Sequence, residues 1–332
     1  MFKLKKHILV IYAILSGMII LLIGFSAKVF IPVEINRTGQ VIVKIERGQS
    51  LISIAKELEN EKIIDSPLLF RILISLRSNQ NNIPAGFYLF SDGKDPLNKP
   101  RVSLNEVARR LANGENGFKP LKITFPEGLS VMDIAKKVHT EIPEIDAAEF
   151  ASNAKQFEGY IFPDTYLVMP FATSGEVIAQ MKNNFDKKVT SSTTLMESVK
   201  NSGHTLSEII IMASILEGEV RTFEDRRLVS DLLWRRIENG MPLQVDSTFA
   251  YINQKTSAEL TLDDLKIDSL YNTYKYKGLP PTPISNPGLD SILDAVTPIK
   301  SEYLYFLTDK NGTMHYAKTL EEHAVNVNKY LK

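Results

Sequence analysis

The stretch MASILEGEVR, Met212 to Arg221, sets two carboxylates one residue apart at the end of an otherwise apolar run. A carboxyl group beside hydrocarbon is disfavoured as the anion, and the negative end of a helix dipole pushes the same way, so both effects raise its pKa. A glutamic acid that keeps its proton near neutrality is what a general acid for glycosidic cleavage needs. Glu217 and Glu219 are therefore the candidate catalytic side chains. Against them stand Arg221, Arg226 and Arg227, any of which can pair with a glutamate and hold it ionised in an ordinary ion pair.

Thr205-Leu206-Ser207-Glu208 fits a capping box and predicts a helix from there to about Glu219. Ile209, Met212, Ala213, Leu216 and Val220 form one stripe and Ile210, Ile211 and Ile215 fill most of the remainder, the pattern of a helix buried nearly all round. The two glutamates fall on opposite sides of that stripe, at the edge of the core, and point to different places. They cannot share one proton as a dyad does. Asn239-Gly240 ends the next helix, and MPLQVDSTFAY (241–251) then groups Gln244, Asp246, Ser247 and Thr248. YNTYKYKGLPPTPISNPG (271–288) follows, its prolines and glycines setting a stiff path. Tyr271, Tyr274 and Tyr276, with Asn272, either form a wall that stacks on sugar faces or simply pack the loop. Long, stiff polar–aromatic loops favour the functional alternative.

The chain has 332 residues, length for about two domains, and 44% hydrophobic content supplies real cores. Lys plus Arg and Asp plus Glu balance at 39 each, which gives no electrostatic case for nucleic acid. Five scattered histidines and no cysteine argue against a metal or thiol site, so no cofactor is expected. Residues 8–27, ILVIYAILSGMIILLIGFSA, carry no charge and match the thickness of a bilayer core. Three lysines precede them, which predicts a cytoplasmic N-terminus and an extracytoplasmic body. The run is longer than a signal-peptide core and lacks a convincing cleavage site, so a retained anchor is expected.

One internal echo stands out: VKIERGQSLISIAKEL (43–58) and ITFPEGLSVMDIAKKV (123–138) pair Gly48 with Gly128, Ser50 with Ser130, and Ile54-Ala55-Lys56 with Ile134-Ala135-Lys136. Each reads as strand, glycine turn and serine-capped helix. Such units resemble LysM domains, which grip N-acetylglucosamine polymers; a purely structural role is the alternative. IPAGFYLF (83–90) reads as a strand and SLNEVARRLANG (103–114) as a helix with a serine cap and glycine stop. A change of character places the domain boundary near 142–151.

Taken in order, the membrane run, the LysM-like unit, EGYIFPDTY, ASILEGE, LQVDST, YNTYKYKGLPPTPISNPG and YLYFLTDKNGTMHY resemble the YceG-like, or MltG, family of membrane-anchored endolytic murein transglycosylases. That resemblance implies an α+β fold with a cytoplasmic tail (1–7), a transmembrane helix (8–28), a LysM-like domain (29–145) and a mixed α+β catalytic domain (146–332). It implies cleavage of nascent peptidoglycan glycan strands to 1,6-anhydro-N-acetylmuramic acid ends, and partnership with penicillin-binding proteins. The family's catalytic glutamate lies in the motif matched by Glu217-Gly218-Glu219, with Gly218 standing where lysine is common. Glu219, nearest the helix end, is the expected acid, and Glu217 an orienting or pairing residue. Gln244, Asp246, Tyr271 and Asn272 are expected to hold the sugar. Glu158 and Asp164 either line the cleft or tie it together, the second being favoured. A hydrolase using water, and a non-catalytic glycan-binding scaffold, are the rival readings.

Overall fold

The computed structural model describes residues 2–34, 41–77, 83–90 and 101–331. The chain divides into two compact units, Met1–Lys119 and Pro120–Lys332.

In the first unit, helix α1 (Phe2–Phe30) contains an apolar stretch, Ile11–Phe30, long enough to cross a membrane. The side chains of residues 2–10, including the three lysines behind the predicted orientation, lie outside the described residues. The last turn of α1 packs on the folded unit and buries Val29. Strand β1 (Val33–Glu34) precedes β2 (Val41–Ile45), whose strict alternation puts Val41, Val43 and Ile45 inside. A turn through Gly48 at φ 80° leads to α2 (Leu51–Asn60), whose first turn Ser50 caps by accepting from the Ser53 N–H. Helix α3 (Pro67–Arg77) and strand β3 (Gly86–Phe90) complete a β-α-α-β module, with β3 antiparallel to β2. Strand β4 (Arg101–Val102) pairs with β1. Helix α4 (Leu104–Asn113) starts on the Ser103 cap and stops at left-handed Gly114, as its sequence predicts.

The second unit opens with the other copy of the echo. Strand β5 (Leu121–Thr124) leads through Gly128 to α5 (Val131–Glu141), whose start is fixed by a full Ser130/Asp133 capping box. Helix α6 (Ala147–Ala154) and strand β6 (Thr165–Val168), antiparallel to β5, close a second β-α-α-β module. Here the structure corrects the expected boundary at 145–146. The second copy begins after the division at Lys119, because its strand must pair with β6 and its helix packs on α6, both beyond residue 146. The echo is thus one module in each unit, not a single domain over 29–145.

The remainder is helical around one core. Helices α7 (Ser174–Phe185) and α8 (Thr193–Ser202) lead to α9 (Leu206–Glu219), on which every residue from Ile209 to Leu216 is buried. Helix α10 (Phe223–Glu238), the short α11 (Ser247–Asn253) and α12 (Leu289–Val296) follow, α12 packing against both α9 and α10. A hairpin of β7 (Tyr305–Thr308) and β8 (Met314–Ala317) and helix α13 (Leu320–Tyr330) finish the chain.

A knot of hydrogen bonds joins the second module to this core. Asn286 Oδ1 accepts from the N–H of Gly159 (2.9 Å) and Ile161 (3.2 Å), while its amide donates to Leu129 O and to Glu158 (both 3.0 Å). Gly159 has φ 85°, and a Cβ there would lie 2.5 Å from Pro283 and 2.9 Å from Ile210 on α9. Gly159→Ala is therefore expected to cost about 2–4 kcal/mol, from a disallowed φ plus overpacking. Urea unfolding of the full chain checks it; an unchanged midpoint would show that this contact relaxes freely.

Candidate active site

The last turn of α9 carries both glutamates, and they diverge as the wheel requires. Glu217 Oε2 accepts from the N–H of Gly288 at 2.9 Å, and Glu219 Oε1 from the N–H of Ser247 at 2.8 Å. Both residues are partly buried, and both line a cleft of about 890 Å3. Among the described residues, no arginine pairs with Glu219. Arg226 instead bonds Asp294 at 2.7 Å, and Arg227 donates to Thr297 O.

Removal from water raises the pKa of Glu219; the charge of neighbouring Asp246 adds to this, while the N–H of Ser247 opposes it. The α9 C-terminus acts in the raising direction too. Beside it, Asp246 Oδ1 accepts from the Tyr274 hydroxyl at 2.6 Å. Its segment is set by the loop that carries Tyr274. The Gln244 N–H reaches Thr273 O at 3.1 Å, and the Val245 N–H reaches the Thr273 hydroxyl at 3.1 Å. Gln244 takes φ 53°, uncommon for a residue with a side chain, and places that side chain, exposed, on the cleft. Gly218 lies against Ser247: a Cβ on it would meet the serine Cβ at 2.8 Å, so a larger residue there requires Ser247 to shift.

On the other side of Glu217, the Glu127 carboxylate lies over Gly288, so a Cβ at that position requires the Glu127 side chain to move. Burial raises the Glu127 pKa, and the charges of Glu217 and Asp290 raise it further. Glu158 is buried outside the cleft lining, accepting from Val131 N–H at 3.1 Å and from Asn286; burial pushes its pKa up to about 8. Asp164 bonds Lys188 (2.8 Å) and Asn184 (2.9 Å), and Lys188 first among these holds its pKa down at about 2. Both acids tie elements together.

Two of the expected sugar contacts are corrected. Asn272 is 0% exposed, and its amide is engaged by the carbonyls of Leu265 and Ile267 at 2.9 Å, so it shapes the turn from within. Tyr271 lies outside the cleft lining; its hydroxyl meets Thr282 at 2.7 Å and its ring packs on Tyr251. Tyr276 bonds Asp268. Of the three tyrosines, Tyr274 alone lines the cleft. The opposite wall comes from the β7–β8 hairpin and α13, which the residue pattern does not single out. There Tyr305 lies beneath Arg236 (5.2 Å) and stacks with His323 (5.4 Å).

Fold and cleft together define a mixed α+β protein in which a helix-end acid lines a cleft of about 890 Å3. Residues 43–329 match the model of the YceG-like family, and the chain belongs to that family. It is 32% identical over 327 residues to an endolytic murein transglycosylase of Bacillus subtilis, covering 90% of this chain and 87% of that one. A protein of the same name from Streptococcus pneumoniae is 26% identical; the match covers 90% of this chain but 59% of that longer relative. A crystallised yceG-like protein of Listeria monocytogenes superposes with a TM-score of 0.57 at 28% identity, over 87% of this chain and all of that one.

The Asp246 charge has a measurable consequence. With the Glu219 pKa raised, the acid form persists to higher pH, and activity declines as pH climbs through that value. Asp246→Asn removes one raising influence, so the alkaline limb of the kcat/KM profile is expected to move to lower pH. A limb that stays in place would uncouple the two groups.

Proposed function

We propose that this chain is a membrane-anchored endolytic lytic transglycosylase that cuts peptidoglycan strands between N-acetylmuramic acid and N-acetylglucosamine. The observation that carries it is the Glu219 carboxyl: in the cleft, unpaired with any arginine among the described residues, and biased toward its protonated form. Glu219 protonates the glycosidic oxygen and the bond to C1 breaks, leaving an oxocarbenium-like centre. The C6 hydroxyl of the same muramic acid attacks C1 while Glu219, now a base, takes the hydroxyl proton. The 1,6-anhydro end forms, the acid is regenerated, and neither water nor a second carboxylate is consumed. Gln244 and Asp246, on the cleft beside this acid, hold the sugar.

The names of the relatives support this reaction. The apolar helix supports an anchor with its N-terminus in the cytoplasm and the catalytic body outside, where nascent strands are made. The repeated β-α-α-β modules support LysM-like glycan binding. Cleavage at that place ends strand elongation, with penicillin-binding proteins as working partners.

A second reading has one observation in its favour. Asp246 is close enough to Glu219 to shift its pKa, and a paired carboxylate is what a water-using muramidase employs. Mass analysis of digests separates the two, since hydrolysis leaves ends heavier by one water than the anhydro product.

Glu219→Gln keeps the shape and removes the proton. Its kcat is expected to fall on the order of a thousandfold with melting unchanged. Glu217→Gln is expected to retain anhydro-end formation. Activity surviving in the first variant and lost in the second would transfer the acid's role to Glu217.

A further inference from the structure

The charged groups lining the cleft divide by whether the protein already engages them. Asp225 accepts from the Tyr316 hydroxyl at 2.6 Å and from Thr222 at 2.5 Å. Asp309 accepts from the N–H groups of Asn311 and Thr313 and faces His315. Asp246, Glu217 and Glu219 have the partners given above. Arg236 is buried and donates to the carbonyls of Leu304 and Leu243.

Two cations remain. Arg221 and Lys310 line the cleft, both exposed, and neither has an ion pair or hydrogen bond among the described residues. Their backbones are nevertheless fixed. Arg221 follows Val220, whose N–H closes α9 on Leu216 O, and precedes Thr222, which caps α10. Lys310 sits at the tip of the β7–β8 hairpin, whose turn is set by the Asp309 carboxylate and left-handed Gly312. Two walls of one groove thus each present an uncommitted positive charge, one of them two residues beyond Glu219.

An uncharged sugar backbone has no use for these groups, but the lactyl arm of muramic acid does. It ends either in a free carboxylate or in a stem peptide bearing carboxylates. We propose that Arg221, aided by Lys310, forms a subsite for a carboxylate carried on that arm, and so makes the enzyme selective for the arm's anionic state. A guanidinium takes a carboxylate through two parallel N–H bonds, whereas an ammonium contributes a point charge. Arg221 is therefore the principal member. The subsite rests on the murein-cleaving function proposed above.

Steady-state cleavage by the detergent-solubilised full chain tests it on four substrates: strands bearing stem peptides, strands stripped to free lactyl carboxylates, and each of these with its carboxylates converted to amides. Arg221→Gln is expected to raise KM about fivefold or more on a charged substrate, with kcat held within about twofold. Arg221→Lys recovers part of the loss, Lys310→Gln gives a smaller rise, and melting is unchanged in all three. On the amidated substrates the wild type and Arg221→Gln have equal KM. A rise confined to stem-bearing strands assigns a peptide carboxylate; a rise on stripped strands assigns the lactyl group. Equal KM on all substrates, or the same rise on amidated strands, overturns the subsite. Anhydro ends made by the wild type report the underlying reaction separately: their absence defeats that reading, whereas their presence without a KM change defeats only the subsite.

Discussion

A carboxyl group keeps its proton only where loss of water costs the anion more than nearby N–H donors return to it, and the end of α9 is arranged around that inequality. Burial outweighs the lowering effect of the donors from Ser247 and Asp246 at Glu219, and the Asp246 charge and the helix terminus act with it. Placing an acid there demands that α9 be held rigidly to its last residue. Its body is buried from Ile209 to Leu216, its start is locked by the Thr205/Glu208 box, and Val220 leaves at once as extended chain. A frayed helix end would admit water and lose the bias.

The same rigidity extends outward through polar contacts. Asn286 bridges the turn before α5, the start of the EGYIFPDTY segment and the loop before α12, with donors and acceptor all engaged. Glu158 reaches the start of α5 within that knot, where the buried backbone N–H of Val131 donates to it. Two residues along, Gly288 gives its N–H to Glu217 and its open face to Glu127. The prolines around them stiffen a path whose purpose is to deliver a few backbone groups to carboxylates.

Local patterns in the sequence carried much of this. The capping boxes, the serine caps, the glycine stops and the helix over 206–219 are one-dimensional signals, because each depends on residues three or four apart. The divergence of Glu217 and Glu219 also follows from helical geometry alone. What depends on distant partners was not legible. Nothing local distinguishes Asn272, whose amide turns inward to two carbonyls, from Tyr274, which reaches the cleft. The second copy of the repeat joined the C-terminal unit because its strand partner lies at 165–168, a choice that pairing makes and periodicity does not show. The hairpin wall was present in the sequence only as the motif YLYFLTDKNGTMHY, with no hint of what it faces.

Val29 also bears on how the first unit is carried. It is 1% exposed, so one face of the last turn of the long apolar helix packs on the folded unit, while Phe30 beside it stays exposed. In a bilayer, a lean or rotation of that rod would be felt by the module through this contact. A helix seated in this way would act in a membrane as a mast, constraining the bearing of the first unit as well as its distance from the lipid.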